Sequence, residues 1–115
     1  MTDTNTFDLT AIDAELRTGD AYTREGHTAR TLVREPEGRI VLLVIKAGAH
    51  IAEHRVHETA AVHALSGYVR LHLPDKTADL PAGRLLVLEP GLQHDVEAVL
   101  DSTLLLTLGW RTANQ

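Results

Sequence analysis

Polar and apolar positions follow two rhythms along this chain, and the change falls near residue 19. In "LTAIDAELRTG" the apolar Ile12 and Leu16 recur four residues apart, the spacing of one helix face. Thr10 is the expected N-cap with Asp13 three residues on, and Gly19 is the expected stop. After Gly19 the texture becomes that of strands. "HTARTLV" and "GRIVLLVIKAG" are rich in Thr, Val and Ile and are separated by the turn "REPEG". "YVRLHL" alternates apolar and polar, "LPDK" turns, "KTADL" returns and "LPAG" turns again. "RLLVLEPG", "HDVEAVL" and "STLLLTLGW" complete the series. Short strands with a turn signal about every ten residues predict an antiparallel sandwich or barrel. Pro36, Pro74, Pro81 and Pro90 all fall at expected turns, where a missing N–H does no harm. The expected organisation is a flexible leader over 1–8 and one all-β domain over 9–115, carrying one short N-terminal helix.

Composition sharpens this picture. A chain of 115 residues supports one core, and with four aromatic residues that core must be Leu, Val, Ala and Ile. The formal charge of −5 argues against nucleic acid, which calls for a basic face and stacking aromatics. There is no cysteine, so disulfides, thiolate metal sites and a thiol nucleophile are excluded, and cytoplasmic residence is the expectation. "MTDTNTFDLT" lacks the charged and apolar regions of a signal peptide. The longest apolar run, "IVLLVI", is too short to span a bilayer, so no membrane partner is expected.

The chemistry-bearing stretch is "GAHIAEHRVHETAAVHALSG", which holds His50, His54, His57 and His63. Two geometries compete for it. On a helix, His50-Ile51-Ala52-Glu53-His54 spells H-x-x-E-H, with the two imidazoles stacked on one zinc ion and Glu53 as general base. That site needs a third ligand from a distant helix, and the later elements all read as strands. On a strand, residues two apart share a face, so ligands at His-x-His spacing can reach a metal inside a barrel.

In the strand reading the spacing resembles the cupin superfamily. Its first motif is matched by Gly48, five residues, His54-Arg55-Val56, three residues, Ala60, six residues and Gly67. Its second is matched by Gly83, five residues, Glu89-Pro90-Gly91, two residues, His94, three residues and Ala98. Fifteen residues separate the motifs. The resemblance implies a small antiparallel jelly-roll barrel of the RmlC-like kind. It also implies a divalent transition metal (Zn, Fe, Mn, Ni or Cu) held by three histidines and a glutamate. Only His54 and His94 stand at ligand positions, which the resemblance sets facing each other across the barrel mouth. Val56 occupies the place of the second histidine and Ala60 that of the glutamate, and neither can coordinate.

His57 and Glu58 are near enough to compensate if the strand bulges there, which would give a site of His54, His57 and His94. Alternation from Ala60 turns His63 outward; His72 falls on a solvent face, His50 precedes the motif and His27 starts the first strand. Gly48, Gly67, Gly83 and Gly91 are expected at strand junctions. Leu85, Val87, Val96, Leu104 and Leu106 are expected to line the barrel or pack the sheets, and Trp110 to be buried.

Two functional classes follow. In the first, the chain is a metal-dependent dioxygenase or isomerase of a small molecule, with Glu53 or Glu58 moving the proton. In the second, Val56 and Ala60 line a non-catalytic pocket that binds a small molecule or senses it, with no metal and the two histidines as polar anchors. A two-fold homodimer is expected under either class, because a small barrel leaves sheet edges to cover.

Overall fold

The run Ile40–Ile45 does not alternate, and its surroundings explain why. In the computed structural model, which describes residues 5–54 and 57–109 (backbone alone at Glu53 and His54), it lies in strand β2 (Gly38–Ile45). Leu43 and Ile45 join the core between two sheets, whereas Leu42 and Val44 pack beneath two helices. A strand buried on both faces requires apolar side chains at every position.

Those helices are α1 (Leu9–Arg17) and α2 (Asp20–Glu25). The cap of α1 is Asp8, not the expected Thr10: its carboxylate accepts the Ala11 N–H at 3.0 Å. Gly19 ends α1 as expected and then caps α2, which six residues are too few to announce by periodicity. Leu16 and Tyr22 are the buried residues the two helices contribute against Leu42 and Val44. Arg17 ties α1 down by pairing with Asp13 and donating to Thr103 Oγ1 at 2.9 Å, while Thr103 in turn donates to Asp13.

The remaining strands are β1 (His27–Glu35), β3 (His50–His54), β4 (Ala60–Ser66), β5 (Tyr68–His72), β6 (Thr77–Pro81), β7 (Leu85–Leu88), β8 (His94–Ala98) and β9 (Ser102–Leu108). All pair antiparallel, in a five-stranded sheet ordered β1-β2-β9-β4-β7 and a four-stranded sheet ordered β3-β8-β5-β6. The inner faces meet in one core that includes Val62 and Leu104 from the first sheet and Val69, Leu71 and Val96 from the second. This is the jelly-roll barrel anticipated from the sequence. Gly48, Gly67, Gly83 and Gly91 all take positive φ. At Gly67, between β4 and β5, a Cβ would also stand 2.3 Å from the Asp101 carbonyl, so no other residue fits.

Three expectations need correction. The H-x-x-E-H segment is strand β3, so its histidines do not stack as on a helix. Pro81 closes strand β6 rather than sitting in a turn, which is harmless because β6 is an edge strand. Leu85 and Val87 neither line the barrel nor pack a sheet: they are 60% and 54% exposed on the outer face of edge strand β7. Alternation identified two equivalent residues and could not say which face was covered. Val56, Trp110 and residues 1–4 of the leader lie outside the described residues. No helix among the described residues is long and apolar enough to cross a membrane.

Candidate functional site

The two sheets do not fill the space between them. A cavity of about 380 Å³ remains, walled by Val41, Leu43 and Leu106 from the five-stranded sheet and by Ile51, Leu71 and Val96 from the other. This volume is at the small end of the ~300–1,000 Å³ found for small-molecule sites. Leu106 carries the signature of the void. It lies on the inner face of the central strand β9, yet remains partly exposed while its neighbours Leu104 and Leu108 are buried. Of the polar residues in the wall among the described residues (His27, Thr31, Arg39 and His94), none is acidic.

Strand connections fix which of these share an end of the barrel. Arg39, Leu108, Ala60 and Leu88 form a continuous row of register partners across the five-stranded sheet. Strand β7 ends at Leu88 and the chain crosses to the facing sheet to begin β8 at His94; likewise β3 ends at His54 and β4 begins at Ala60. His54, His94, Ala60 and Arg39 therefore belong to one end.

His94 is the polar centre of that end. It is 7% exposed and lies in the wall. Its Nδ1 lies 3.1 Å from the Leu92 carbonyl, which can accept its N–H. His54 is the Cα register partner of His94, on the adjacent strand of the same sheet. The expected opposition across the mouth is thus corrected to a cross-strand pair. The register gains one residue between Ile51 and His54, a bulge that brings position 54 level with His94. A bulge was anticipated at 57–58; it occurs earlier, inside β3.

Ala60 is buried and lines the cavity where a ligand carboxylate was expected by resemblance. His57 is exposed on the bend that follows. Glu58 is half-buried and its Oε2 lies 3.8 Å from Arg39 Nη2. The side chains of Glu53 and His54, and all of Val56, are outside the described residues. Among the described residues no three His, Asp or Glu side chains come together as a metal site.

The other histidines occupy the places alternation gave them. His63 stands between the inward Val62 and Ala64 on the opposite face of β4. On the outer face of the four-stranded sheet, His50 Nε2 is 3.1 Å from Asp95 Oδ2 and His72 Nε2 is 2.9 Å from Glu97 Oε1. His27 begins β1 as expected, but it also lines the cavity, as do Thr31 and Arg39. Sequence reasoning missed all three. The available signal was the Arg39-Ile40-Val41-Leu42-Leu43 alternation, which puts Arg39 on the same face as Val41 and Leu43.

No family model matches the sequence, and no curated protein matches it. Solved structures do match. A conserved protein of unknown function from Streptococcus pyogenes is similar over 98% of this chain and 93% of its own, at 24% identity and TM-score 0.76. An RmlC-like cupin from Desulfovibrio desulfuricans is similar over 95% of this chain and 96% of its own, at 20% identity and TM-score 0.70. A point mutant of salicylate 1,2-dioxygenase from Pseudoaminobacter salicylatoxidans shares 16% identity over 89% of this chain, which spans 34% of that enzyme, with TM-score 0.78. With the glycine and histidine spacings in register and the two-sheet jelly roll in place, the chain has the cupin-type jelly-roll fold of these structures.

Proposed function

We propose that this chain binds a small molecule inside its barrel, with an apolar body against Leu106, Val41 and Val96 and a polar group at His94. The observation that carries the reading is the cavity of about 380 Å³ with one buried imidazole in its wall. Apolar walls with few convergent polar groups are the usual make-up of such sites. Ala60 adds free volume at the same end, and Val56 is proposed to extend that wall. The test fills the void from the central strand. Small fragments that bind the wild type in ligand-observed NMR should lose their signals with Leu106→Phe. Equal binding by the filled variant contradicts the reading.

A second reading has one observation in its favour, the register that sets His54 opposite His94. It makes the chain a metal-dependent dioxygenase or isomerase, with a divalent transition ion at His54 and His94, His57 as a third donor, and Glu53 or Glu58 as proton carrier. His57 is exposed on the bend after β3, and without it two imidazoles fall short of the three protein ligands usual for catalytic ions, so this reading ranks second. Elemental analysis of untagged protein decides between the two: stoichiometric metal, lost in His94→Ala, supports the second.

We further propose a homodimer formed through edge strand β7, where Leu85 and Val87 project beside Ala61 and His63, their register partners. A cytoplasmic location is proposed from the cysteine-free sequence.

A further inference from the structure

Strand β2 enters the barrel wall with Arg39, and Val41 and Leu43 follow it on the same face. A guanidinium among apolar side chains needs a reason, because charged residues are seldom placed there without a partner. Its partner here is weak. Glu58 Oε2 lies 3.8 Å from Nη2, beyond hydrogen-bond reach, and the two side chains are 33% and 37% exposed. Such half-exposed pairs are weak. This ion pair is the one interaction that the Arg39 side chain makes among the described residues.

Resting on the reading of the cavity as a small-molecule site, we infer that Arg39 is its anion-recognition residue and that the ligand is a small monocarboxylate with an apolar body. Three features converge on this class. Among the described residues the cavity wall contains a fixed cation and no Asp or Glu to neutralise it. Arg39 and His94 belong to the same end but to different sheets, so the charged head of a ligand at Arg39 lies at the end where His94 offers its second polar contact. Apart from His27 and Thr31, the remaining described wall is apolar, which suits a hydrocarbon body. One planar fork matches a carboxylate in two parallel hydrogen bonds, whereas a phosphate dianion would call for a second cation, and Arg39 is the one fixed cation among the described wall residues. Glu58 then acts as a latch: it holds Arg39 loosely and is displaced at small cost by the ligand carboxylate.

The test compares two probes with one body and different heads, hexanoate and 1-hexanol, by titration calorimetry at low ionic strength and pH 7. A charge-assisted contact predicts that the wild type binds hexanoate about tenfold more tightly than 1-hexanol. Arg39→Met should erase that preference, weakening hexanoate about tenfold more than it changes 1-hexanol. Glu58→Gln, which removes the competing carboxylate, should tighten hexanoate about threefold. Since the Glu58 site is half-exposed, that variant remains informative should Arg39→Met fail to fold. A wild-type preference below twofold, or a preference that survives Arg39→Met, overturns the assignment. If 1-hexanol binds without any preference for hexanoate, the anion assignment fails and the cavity reading stands. If neither probe binds, both fail.

Discussion

Shortening Leu106 should cost much less than shortening Leu42, although both are leucines on central positions of the same sheet. Leu42 is 0% exposed and sealed between β2 and the two helices. Deleting three carbons from a fully buried leucine forfeits about 2.4 kcal/mol at ~0.8 kcal/mol per methylene. The void left behind raises typical losses to about 2.7–5 kcal/mol, so Leu42→Ala should cost about 4. Leu106 already borders the cavity and has no packed neighbour on that side. Its truncation loses fewer contacts and enlarges an existing space, at about 2 kcal/mol. The difference should appear as about 8 °C in Tm, at ~4 °C per kcal/mol for a chain of this size. The reverse substitution is the sharper half of the test. Leu106→Phe would normally overpack a core at a cost of about 1–3 kcal/mol, but with the void beside it the cost should stay below about 1. Thermal and urea unfolding of the three variants by circular dichroism provide the numbers. Equal losses for the two alanine variants, or a loss well above 2 kcal/mol for Leu106→Phe, would refute the void.

Burial pushes the Tyr22 hydroxyl above the usual tyrosine range. The folded state then keeps a proton that the unfolded chain releases near pH ~10, so stability should fall as pH rises past ~10. Tyr22→Phe should flatten that decline in urea titrations between pH 9 and 11, and an unchanged slope would count against it. Replacing both Leu85 and Val87 by Lys should convert the proposed dimer to a monomer in sizing with light scattering. A wild type that is already monomeric at micromolar concentration contradicts the β7 interface. Val56→His with Ala60→Glu supplies the two ligand types that the cupin motifs carry at these places and should raise divalent-metal affinity well above the parent's by calorimetry. No gain would mean that Val56 does not face the interior or that the parent site is already complete.

Much of the fold was legible because its signals are local. Glycines and prolines marked the turns, and period-2 alternation marked the strands and the outward course of His63 and His72. What was not legible depends on which surfaces meet. "IVLLVI" reads as a buried strand, but only the helices above it explain its outer-face leucine and valine. Leu85 and Val87 have the same alternating pattern as Leu104 and Leu106, and only the strand order reveals that β7 is an uncovered edge. His54 and His94 were found by motif spacing, which carries no information on whether two strands are neighbours or opposed. Arg39 was missed for a different reason. A lone arginine at a strand start is ordinarily solvated, and its place in the cavity wall follows from the pairing of β2 with β9.

The central claim is that the barrel interior is an accessible small-molecule cavity, and methyl-detected NMR tests it most directly. In a titration of methyl-labelled protein with 1-hexanol, the account predicts saturable shifts at Leu106, Val41 and Ile51, which line the cavity. Leu42 and Leu32, beneath the helices, should stay fixed. Shifts confined to the exposed Leu85 and Val87, or none at all up to the solubility limit of the probe, would contradict it.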